Sequence, residues 1–183
     1  DRRSPVSASR ILNTAGTREL ERIFRDYGEI KHARWLAEAV VRRREIAPWA
    51  STTELAELCD KVLGRERRRG GPPSPTLCFQ ALRIAVNDEL SQARNALEAA
   101  VPLLKKGGRI VVISFQSLED RIVKDFFRDK ATACKCPPDF PVCICGGVAV
   151  MKVITKKPIE ASDDERIANP RSACAKLRAA EKL

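Results

Sequence analysis

The sequence predicts an α/β fold with a helical first part and a doubly wound sheet in the second part. Apolar residues recur at helical spacing through the first third of the chain, whereas residues 109–114 form an apolar run between a Gly-rich turn and a polar corner. A basic connector rich in Gly and Pro, residues 64–75, separates the two patterns. We therefore expect an all-helical domain over residues 1–72 and an α/β domain over residues 73–183.

Three short helices are predicted before the connector. Thr17 is suited to cap the first of them, and Gly28 fits the left-handed position at its end. Ser51 and Glu54 have the spacing of a capping box at the start of the third helix. Short amphipathic helices bury their apolar stripes by packing together, so these three predict one small helical unit.

The second part alternates between helix and strand. A long helical pattern over residues 76–104 leads through a Lys-Lys-Gly-Gly turn into the strand over 109–114. Another strand is predicted over 148–154, and Ser162 and Glu165 have capping-box spacing at the start of a further helix. This order of elements is typical of half a doubly wound sheet.

Polar side chains crowd the corner that follows the strand over 109–114. In open α/β sheets, ligands bind beyond the carboxyl ends of strands, where the loops converge. Hydroxyl, amide and carboxylate groups there can orient a substrate or accept a proton. Helix capping remains the alternative for Asp120, because Ser117 and Asp120 also have capping-box spacing. The candidate catalytic residues are Ser114, Gln116, Ser117, Glu119 and Asp120.

The chain is basic, with 34 Lys and Arg against 24 Asp and Glu and a net charge of +10. Such a charge favours polyanionic partners, RNA above all, although an ordinary basic surface is the alternative. No apolar run approaches the ~20 residues that span a bilayer, so no membrane partner is predicted. The connector arginines can contact phosphates or remain in a solvated loop. These are Arg65, Arg67, Arg68 and Arg69.

Seven cysteines in a chain without an apolar signal segment indicate reduced thiols in a cytosol-like compartment. Four of them, Cys134, Cys136, Cys143 and Cys145, form two C-x-C pairs in one Pro-rich segment. A tetrathiolate zinc site is one interpretation, but the usual zinc knuckle is C-x-x-C. We therefore predict a Pro-stiffened loop with reduced thiols and no metal, and zinc stays open as the alternative.

Several long motifs carry a family resemblance. "TLCFQALRIAVNDEL", "GGRIVVISFQSLEDRIVKDFF", "CKCPPDFPVCICG", "TKKPI" and "NPRSACAKLRAAEKL" follow one another in that order. Together with "ILNTAGTRELERIFRDYGEIKHARWLAEAVVRRRE" near the start, the chain resembles the RsmH/MraW family over almost its whole length. The resemblance implies S-adenosylmethionine-dependent methylation of the exocyclic amino group of a decoding-site cytidine in small-subunit ribosomal RNA. It also implies a Rossmann-like methyltransferase sheet interrupted by an all-helical insertion.

The resemblance covers the family pattern from the helical insertion to the end. In that family, the Gly-rich turn and the acidic residue that hold the methyl donor lie upstream of the insertion. We therefore expect the N-terminal strands and most cofactor contacts to lie upstream of Asp1, and the chain alone to be inactive. Two motifs also depart from the family. Gln116 stands where "SFHSLEDR" has His, and the tail has "SACAK" around Cys174 where the family has an Arg.

Two functional hypotheses follow. The first is the methyltransferase, acting on small-subunit RNA in the cytoplasm or in a mitochondrion or plastid. The second is a catalytically silent RNA-binding or ribosome-assembly protein of the same family. The oligomeric state is open between monomer and homodimer. For the polar and basic groups of the tail, a solvated helix face is the alternative to RNA contact. The candidate RNA-binding residues are Asn87, Arg121, Asn169, Arg171, Ser172, Lys176 and Arg178, together with Arg65, Arg67 and Arg68.

Overall fold

A computed structural model of the chain describes residues 6–64, 73–134, 136 and 144–183. The described residues form a mixed α/β structure with eight α-helices, one 3-10 helix and a small antiparallel sheet. The chain divides into two compact units, Asp1–Glu89 and Leu90–Leu183. None of the helices in the described part is both long enough and apolar enough to cross a membrane.

The described residues of the first unit form helices and no strand. Its helices enclose one core in which Phe24, Leu36 and Leu82 are almost completely buried. Trp49 joins the same core, and its indole N–H donates to the carbonyl oxygen of Val40 at 3.3 Å. The five helices are α1 (Ala8–Thr14), α2 (Thr17–Asp26), α3 (Ala33–Ile46), α4 (Thr52–Leu63) and α5 (Ser74–Asn87).

Local capping signals placed the helix starts to within one residue. Ser51 caps α4 as predicted, because its hydroxyl accepts a hydrogen bond from the backbone N–H of Thr53 at 3.1 Å. The cap of α2 is Gly16, so the expectation for Thr17 was wrong by one position and Thr17 is the first helical residue. Isolated capping residues are therefore reliable here for the existence of a helix and less so for its first residue.

Gly28 does not adopt the left-handed conformation that we predicted; its neighbour Glu29 does, with φ of 49°. Gly28 instead permits a close backbone approach between α2 and α5. A Cβ atom on Gly28 would lie 2.7 Å from the carbonyl oxygen of Phe24 and 3.1 Å from that of Leu77. Both are backbone atoms, so neither moves away without displacing a helix.

Gly28→Ser is therefore expected to lower the free energy of unfolding by about 1–3 kcal/mol, as overpacking does elsewhere. Gly16→Ser is the matched control. A Cβ atom there would meet nothing within 4 Å, and Ser is a favoured N-cap residue. Thermal melts of both variants test the prediction, and equal melting temperatures would show that the Gly28 contact is not tight in solution.

The helical unit extends beyond the boundary that we expected at residue 72. Helix α5 lies after the connector, yet it buries Cys78, Ala81 and Leu82 in the core of the first unit. The single helix expected over residues 76–104 is two helices, because Asp88 has φ of 50° and ψ of 41°. Asp tolerates this left-handed conformation better than most residues, and it ends α5 there.

The second unit contains a four-stranded sheet packed against helices. Strand β4 pairs with β1 and β2 on its two sides, in the order β1-β4-β2, and also with β3. All these pairings are antiparallel, and they place Ser114 opposite Lys176 and Val112 opposite Arg178. The elements are α6 (Glu89–Leu103), β1 (Arg109–Ser114), α7 (Ser117–Ala131), β2 (Met151–Val153), β3 (Ile159–Glu160), α8 (Asp163–Ala168), the 3-10 helix (Pro170–Cys174) and β4 (Lys176–Lys182).

Strand β1 and the start of α8 are confirmed, whereas β4 was missed. The hydroxyl of Ser162 accepts from the backbone N–H of Glu165 at 3.2 Å, as expected for the cap of α8. The strand expected over 148–154 is shorter and covers Met151–Val153. For the tail, the sequence left a solvated helix face as the alternative to RNA contact, and this alternative is wrong for Lys176–Lys182. The segment is a strand despite its helix-forming residues, because it pairs with other strands on both sides.

The two faces of β1 differ sharply. Ile110 and Val112 pack against the core that α7 forms with α6, around Val123 and Phe127. Val111 and Ile113 point to the opposite face and are 57% and 55% exposed. Within the described part of the chain, β4 is the only strand that pairs with β1. One face and one edge of β1 are therefore uncovered by described residues.

Candidate functional site

The polar corner joins β1 to α7 and is held by local hydrogen bonds. Ser114 is buried, and its hydroxyl donates to the carbonyl oxygen of Lys176 at 3.4 Å. The carboxylate of Glu119 accepts from the backbone N–H of Phe115 at 3.1 Å, so it binds the chain just before the helix. Gln116 is the N-cap of α7, which places Ser117 in the first turn. The corner is therefore a fixed turn.

The side chain of Gln116 has an unsatisfied acceptor. Its Oε1 atom is buried, and no group in the described part of the chain donates a hydrogen bond to it. A buried acceptor without a donor costs about 1–3 kcal/mol, and such groups call for a functional explanation. Because Gln116 follows the carboxyl end of β1, its side-chain amide lies at the corner, and an outward rotation of that side chain would let the oxygen accept an N–H from a ligand.

Asp120 forms a buried ion pair with Arg178 of β4. Nε and Nη2 of Arg178 donate to the two carboxylate oxygens at 2.6 and 2.9 Å, and the side chains are only 8% and 12% exposed for Arg178 and Asp120. The hydrogen bonds from Arg178 lower the pKa of Asp120 against the opposing effect of burial, and Lys176 and Lys124 lower it further. Asp120 is therefore a carboxylate that joins α7 to the sheet, and both its oxygens are already engaged.

The remaining tail candidates lie around the turn that leads into β4. Asn169 is exposed and ends α8, and Arg171 is exposed in the 3-10 helix. Ser172 is buried, and its hydroxyl donates to the carbonyl oxygen of Asn169 at 2.9 Å. Lys176 is half-buried at the start of β4. The structure therefore brings Lys176 beside the polar corner and gives Ser172 a local structural bond.

Two other RNA candidates belong to different units. Arg121 is exposed near the start of α7. Asn87 belongs to the first unit, where its side-chain amide donates to Glu89 at 3.1 Å. The connector residues Arg65, Arg67 and Arg68 lie outside the described residues, as does Cys143 of the cysteine cluster.

A basic cleft beside the polar corner was missed by the sequence analysis. We use this name for the cleft formed by Lys124 and Arg128 of α7, Thr155 and Lys156 after β2, and the buried Arg178, together with the apolar side chains of Phe127 and Val153. On α7, Lys124 and Arg128 follow Asp120 at i+4 and i+8, so all three share one helix face. That spacing is visible in the sequence and could have indicated the α7 side of the cleft. The residues after β2 that form its other side could be identified only from the tertiary structure.

The sequence of the whole chain matches one family. A model of the MraW methylase family covers residues 1–183. The chain belongs to the MraW methylase family. It is 52% identical over 181 residues to the ribosomal RNA small subunit methyltransferase H of Heliobacterium modesticaldum, and 51% identical over 183 residues to the protein of the same name in Carboxydothermus hydrogenoformans.

These MraW methylase relatives are longer than the chain. The two matches cover 98% and 100% of the chain but only 58% of each relative. A third relative of the same name, from Caldicellulosiruptor saccharolyticus, is 46% identical over the full 183 residues and is covered to 59%. The resemblance drawn from the motifs is therefore confirmed, and it extends through both structural units.

Proposed function

We propose that this chain is the C-terminal portion of an enzyme that methylates a cytidine of small-subunit ribosomal RNA. The observation that carries the proposal is the identity of about half of all residues with bacterial proteins named ribosomal RNA small subunit methyltransferase H. The methyl acceptor is the exocyclic amino group of a decoding-site cytidine, and S-adenosylmethionine is the donor. Because these relatives are bacterial, we place the enzyme in the bacterial cytoplasm.

The polar corner suits the acceptor side of this reaction. A cytosine amino group is a poor nucleophile, since its lone pair is delocalised into the ring, so it needs precise orientation and acceptors for its protons. Gln116 supplies a buried carbonyl oxygen with no donor from the described residues. We assign to Gln116 the orientation of the amino group, to Glu119 the closing of the corner, and to the Asp120–Arg178 pair the positioning of α7.

The RNA backbone is proposed to follow the basic cleft. Lys124, Arg128 and Lys156 bring three cations to its rim, and Arg121 and Arg171 add exposed guanidinium groups in the same unit. The first unit offers a different kind of surface, since His32 stacks on the exposed Trp35 with ring centroids 4.4 Å apart. Aromatic faces accept unpaired RNA bases by stacking. The helical unit is therefore proposed to face RNA as well.

The described residues do not fit a binding site for the methyl donor. Such a site needs a Gly-rich turn between a strand and the helix that follows it. In the described part of the chain, Gly107 and Gly108 precede β1, and the corner after β1 contains no glycine. We place the donor site in a region that the longer relatives have and this chain does not cover. Further strands there would complete a Rossmann-like sheet along the uncovered edge of β1.

The proposal is tested with a protein that contains this chain together with the donor-binding region. Small ribosomal subunits are incubated with this protein and labelled S-adenosylmethionine, and the RNA is digested to nucleosides and analysed by mass spectrometry. We expect the label in a cytidine methylated on its amino nitrogen. Label on another atom would contradict the acceptor assignment, and RNA binding without transfer would favour the catalytically silent protein.

Replacing the three rim cations of the basic cleft is expected to change the salt dependence of RNA binding. Each phosphate contact contributes about 0.7–0.9 to the slope of log K against log salt, so the triple change of Lys124, Arg128 and Lys156 to Ala should reduce that slope by about 2–3. The control triple variant changes Lys105, Lys106 and Arg109, which are exposed at the other end of β1. Equal slopes for the two triple variants would remove the basic cleft from the RNA path.

A further inference from the structure

Three cysteine thiols converge in the second unit, away from the residues of the polar corner. The Sγ atoms of Cys134, Cys136 and Cys145 all lie within 4.8 Å of one another. The Sγ atoms of Cys145 and Cys134 are 3.9 Å apart. Two of the thiols are exposed and the third, on Cys136, is half-buried, so solvent and ions have access to the cluster.

The backbone around the cluster depends on two glycines. Gly146 has φ of +58°, in the left-handed region, and turns the chain immediately after Cys145. A Cβ atom on Gly147 would lie 2.0 Å from the carbonyl oxygen of Ala133. Only glycine therefore lets the backbone at residue 147 approach the segment before Cys134 so closely. The backbone N–H of Val150 then donates to the carbonyl oxygen of Lys130 at 2.8 Å. The glycine contact and this hydrogen bond therefore keep the two cysteine-bearing segments close together.

The separation of the Cys134 and Cys145 sulfurs, 3.9 Å, matches that of two ligands on a tetrahedral metal ion. Zinc binds thiolates at about 2.3 Å, so two thiolates on one tetrahedral zinc lie roughly 3.8 Å apart. We propose that Cys134, Cys136 and Cys145 bind a zinc ion through their thiolates. Sulfur ligands without carboxylates select zinc over magnesium, calcium or manganese. Each thiol releases its proton on binding, so the affinity for zinc rises with pH.

The spacing of the cysteines in the sequence argued against zinc, but the position of the third thiol in the fold favours it. A C-x-C pair is a poor zinc knuckle by itself, which is why no metal was predicted from the spacing. In the fold, Cys145 lies near Cys134 and Cys136 and completes a triangle of sulfurs with them. One position of the tetrahedron is open among the described residues, and it can hold a water molecule or a further ligand.

The full chain is tested by metal analysis after purification under reducing conditions, followed by zinc titration against a chromogenic chelator. We expect about one zinc per chain, and cobalt substitution should give the intense charge-transfer absorption of thiolate ligands. Because losing an outer-shell partner already costs about 10–100-fold in metal affinity, Cys134→Ser and Cys145→Ser should each cost at least about 100-fold. Cys174→Ser, an exposed cysteine outside the cluster, is the control and should bind as the parent does.

Gly147→Ala tests the geometry without touching a ligand. The added methyl group separates the two segments, so zinc affinity should fall although all cysteines remain, while circular dichroism shows that the helices are intact. Absence of zinc binding by the reduced parent chain would overturn the proposal. So would a disulfide within the cluster that persists when the chain is purified with zinc and without oxidant.

Discussion

Asp120→Ala is expected to lower the free energy of unfolding of the chain by about 3–5 kcal/mol, because it leaves the buried guanidinium of Arg178 without its counter-ion. In the parent chain two hydrogen bonds of 2.6 and 2.9 Å join the groups, and both side chains are largely shielded from water. The pair connects α7 to the central strand of the sheet. Its loss therefore affects the packing of the whole second unit.

Two controls separate this effect from the loss of any ion pair. Asp125→Ala breaks the pair between Arg128 and Asp125, which is as short, at 2.8 Å, but is exposed by 70% and 38%. Such surface pairs contribute below about 1 kcal/mol. The double variant Asp120→Leu with Arg178→Met should recover most of the lost stability, since apolar replacements of buried pairs are often neutral. If Asp120→Ala and Asp125→Ala unfold at the same urea concentration, the pair is not buried in solution.

The same ion pair sets a dependence of stability on pH. Hydrogen bonding to Arg178 lowers the pKa of Asp120 in the folded chain, whereas an Asp in the unfolded chain titrates near pH 3.9. Stability from the pair is therefore fully present above the unfolded pKa and is lost as the pH falls through the folded pKa. In urea denaturation between about pH 6 and pH 2, the parent should lose more stability than Asp120→Asn, whose side chain does not titrate.

Local signals in the sequence predicted the elements that local interactions determine. Helices α2, α3 and α4, strand β1 and the capping of α4 and α8 by Ser51 and Ser162 follow from periodicity and caps, whereas the short helix α1 was not predicted. Strand β4 was missed, because Lys, Ala, Glu and Arg favour a helix and only pairing on both edges makes the segment extended. The break at Asp88 was missed for a related reason, since Asp is acceptable inside a helix until packing requires a turn.

The polar corner after β1 was predicted from the sequence, whereas the contacts within it were not, and its role as a functional site stays a prediction. The rule that polar residues collect at strand ends pointed to the corner containing Gln116 and Glu119. Asp120 and Arg178 are 58 residues apart, and nothing in the spacing of the chain indicates that they form a pair. Asp120 was predicted either to act on the substrate or to cap the helix, and Arg178 was predicted to contact RNA, whereas in the fold the two side chains form an ion pair with each other. Long-range ion pairs of this kind depend on the register of the sheet, which places Arg178 opposite Val112.

Gln116→Ala is expected to reduce methyl transfer to small ribosomal subunits by about 10–100-fold in kcat, in a protein that includes the donor-binding region. The loss should fall on kcat more than on KM, because an acceptor that orients the reacting amino group matters most in the transition state. The melting temperature should not fall, and it rises if the unsatisfied acceptor destabilises the parent. In the described structure the buried Oε1 accepts no hydrogen bond, so its removal breaks no hydrogen bond and relieves the cost of burying that oxygen.

Glu119→Ala serves as the control for Gln116→Ala, because we expect it to lower the stability of the protein and to leave turnover nearly unchanged. It removes the acceptor for the backbone N–H of Phe115, so it should cost about 1 kcal/mol of stability, as the loss of a helix cap does. Gln116→His introduces the residue that the motif resemblance leads us to expect at this position. An imidazole nitrogen can also accept a hydrogen bond, so this variant should retain or raise turnover. If Gln116→Ala instead melts several degrees lower with full turnover, the amide supports the packing of α7 on β1, and the acceptor for the cytosine amino group must lie elsewhere on the protein.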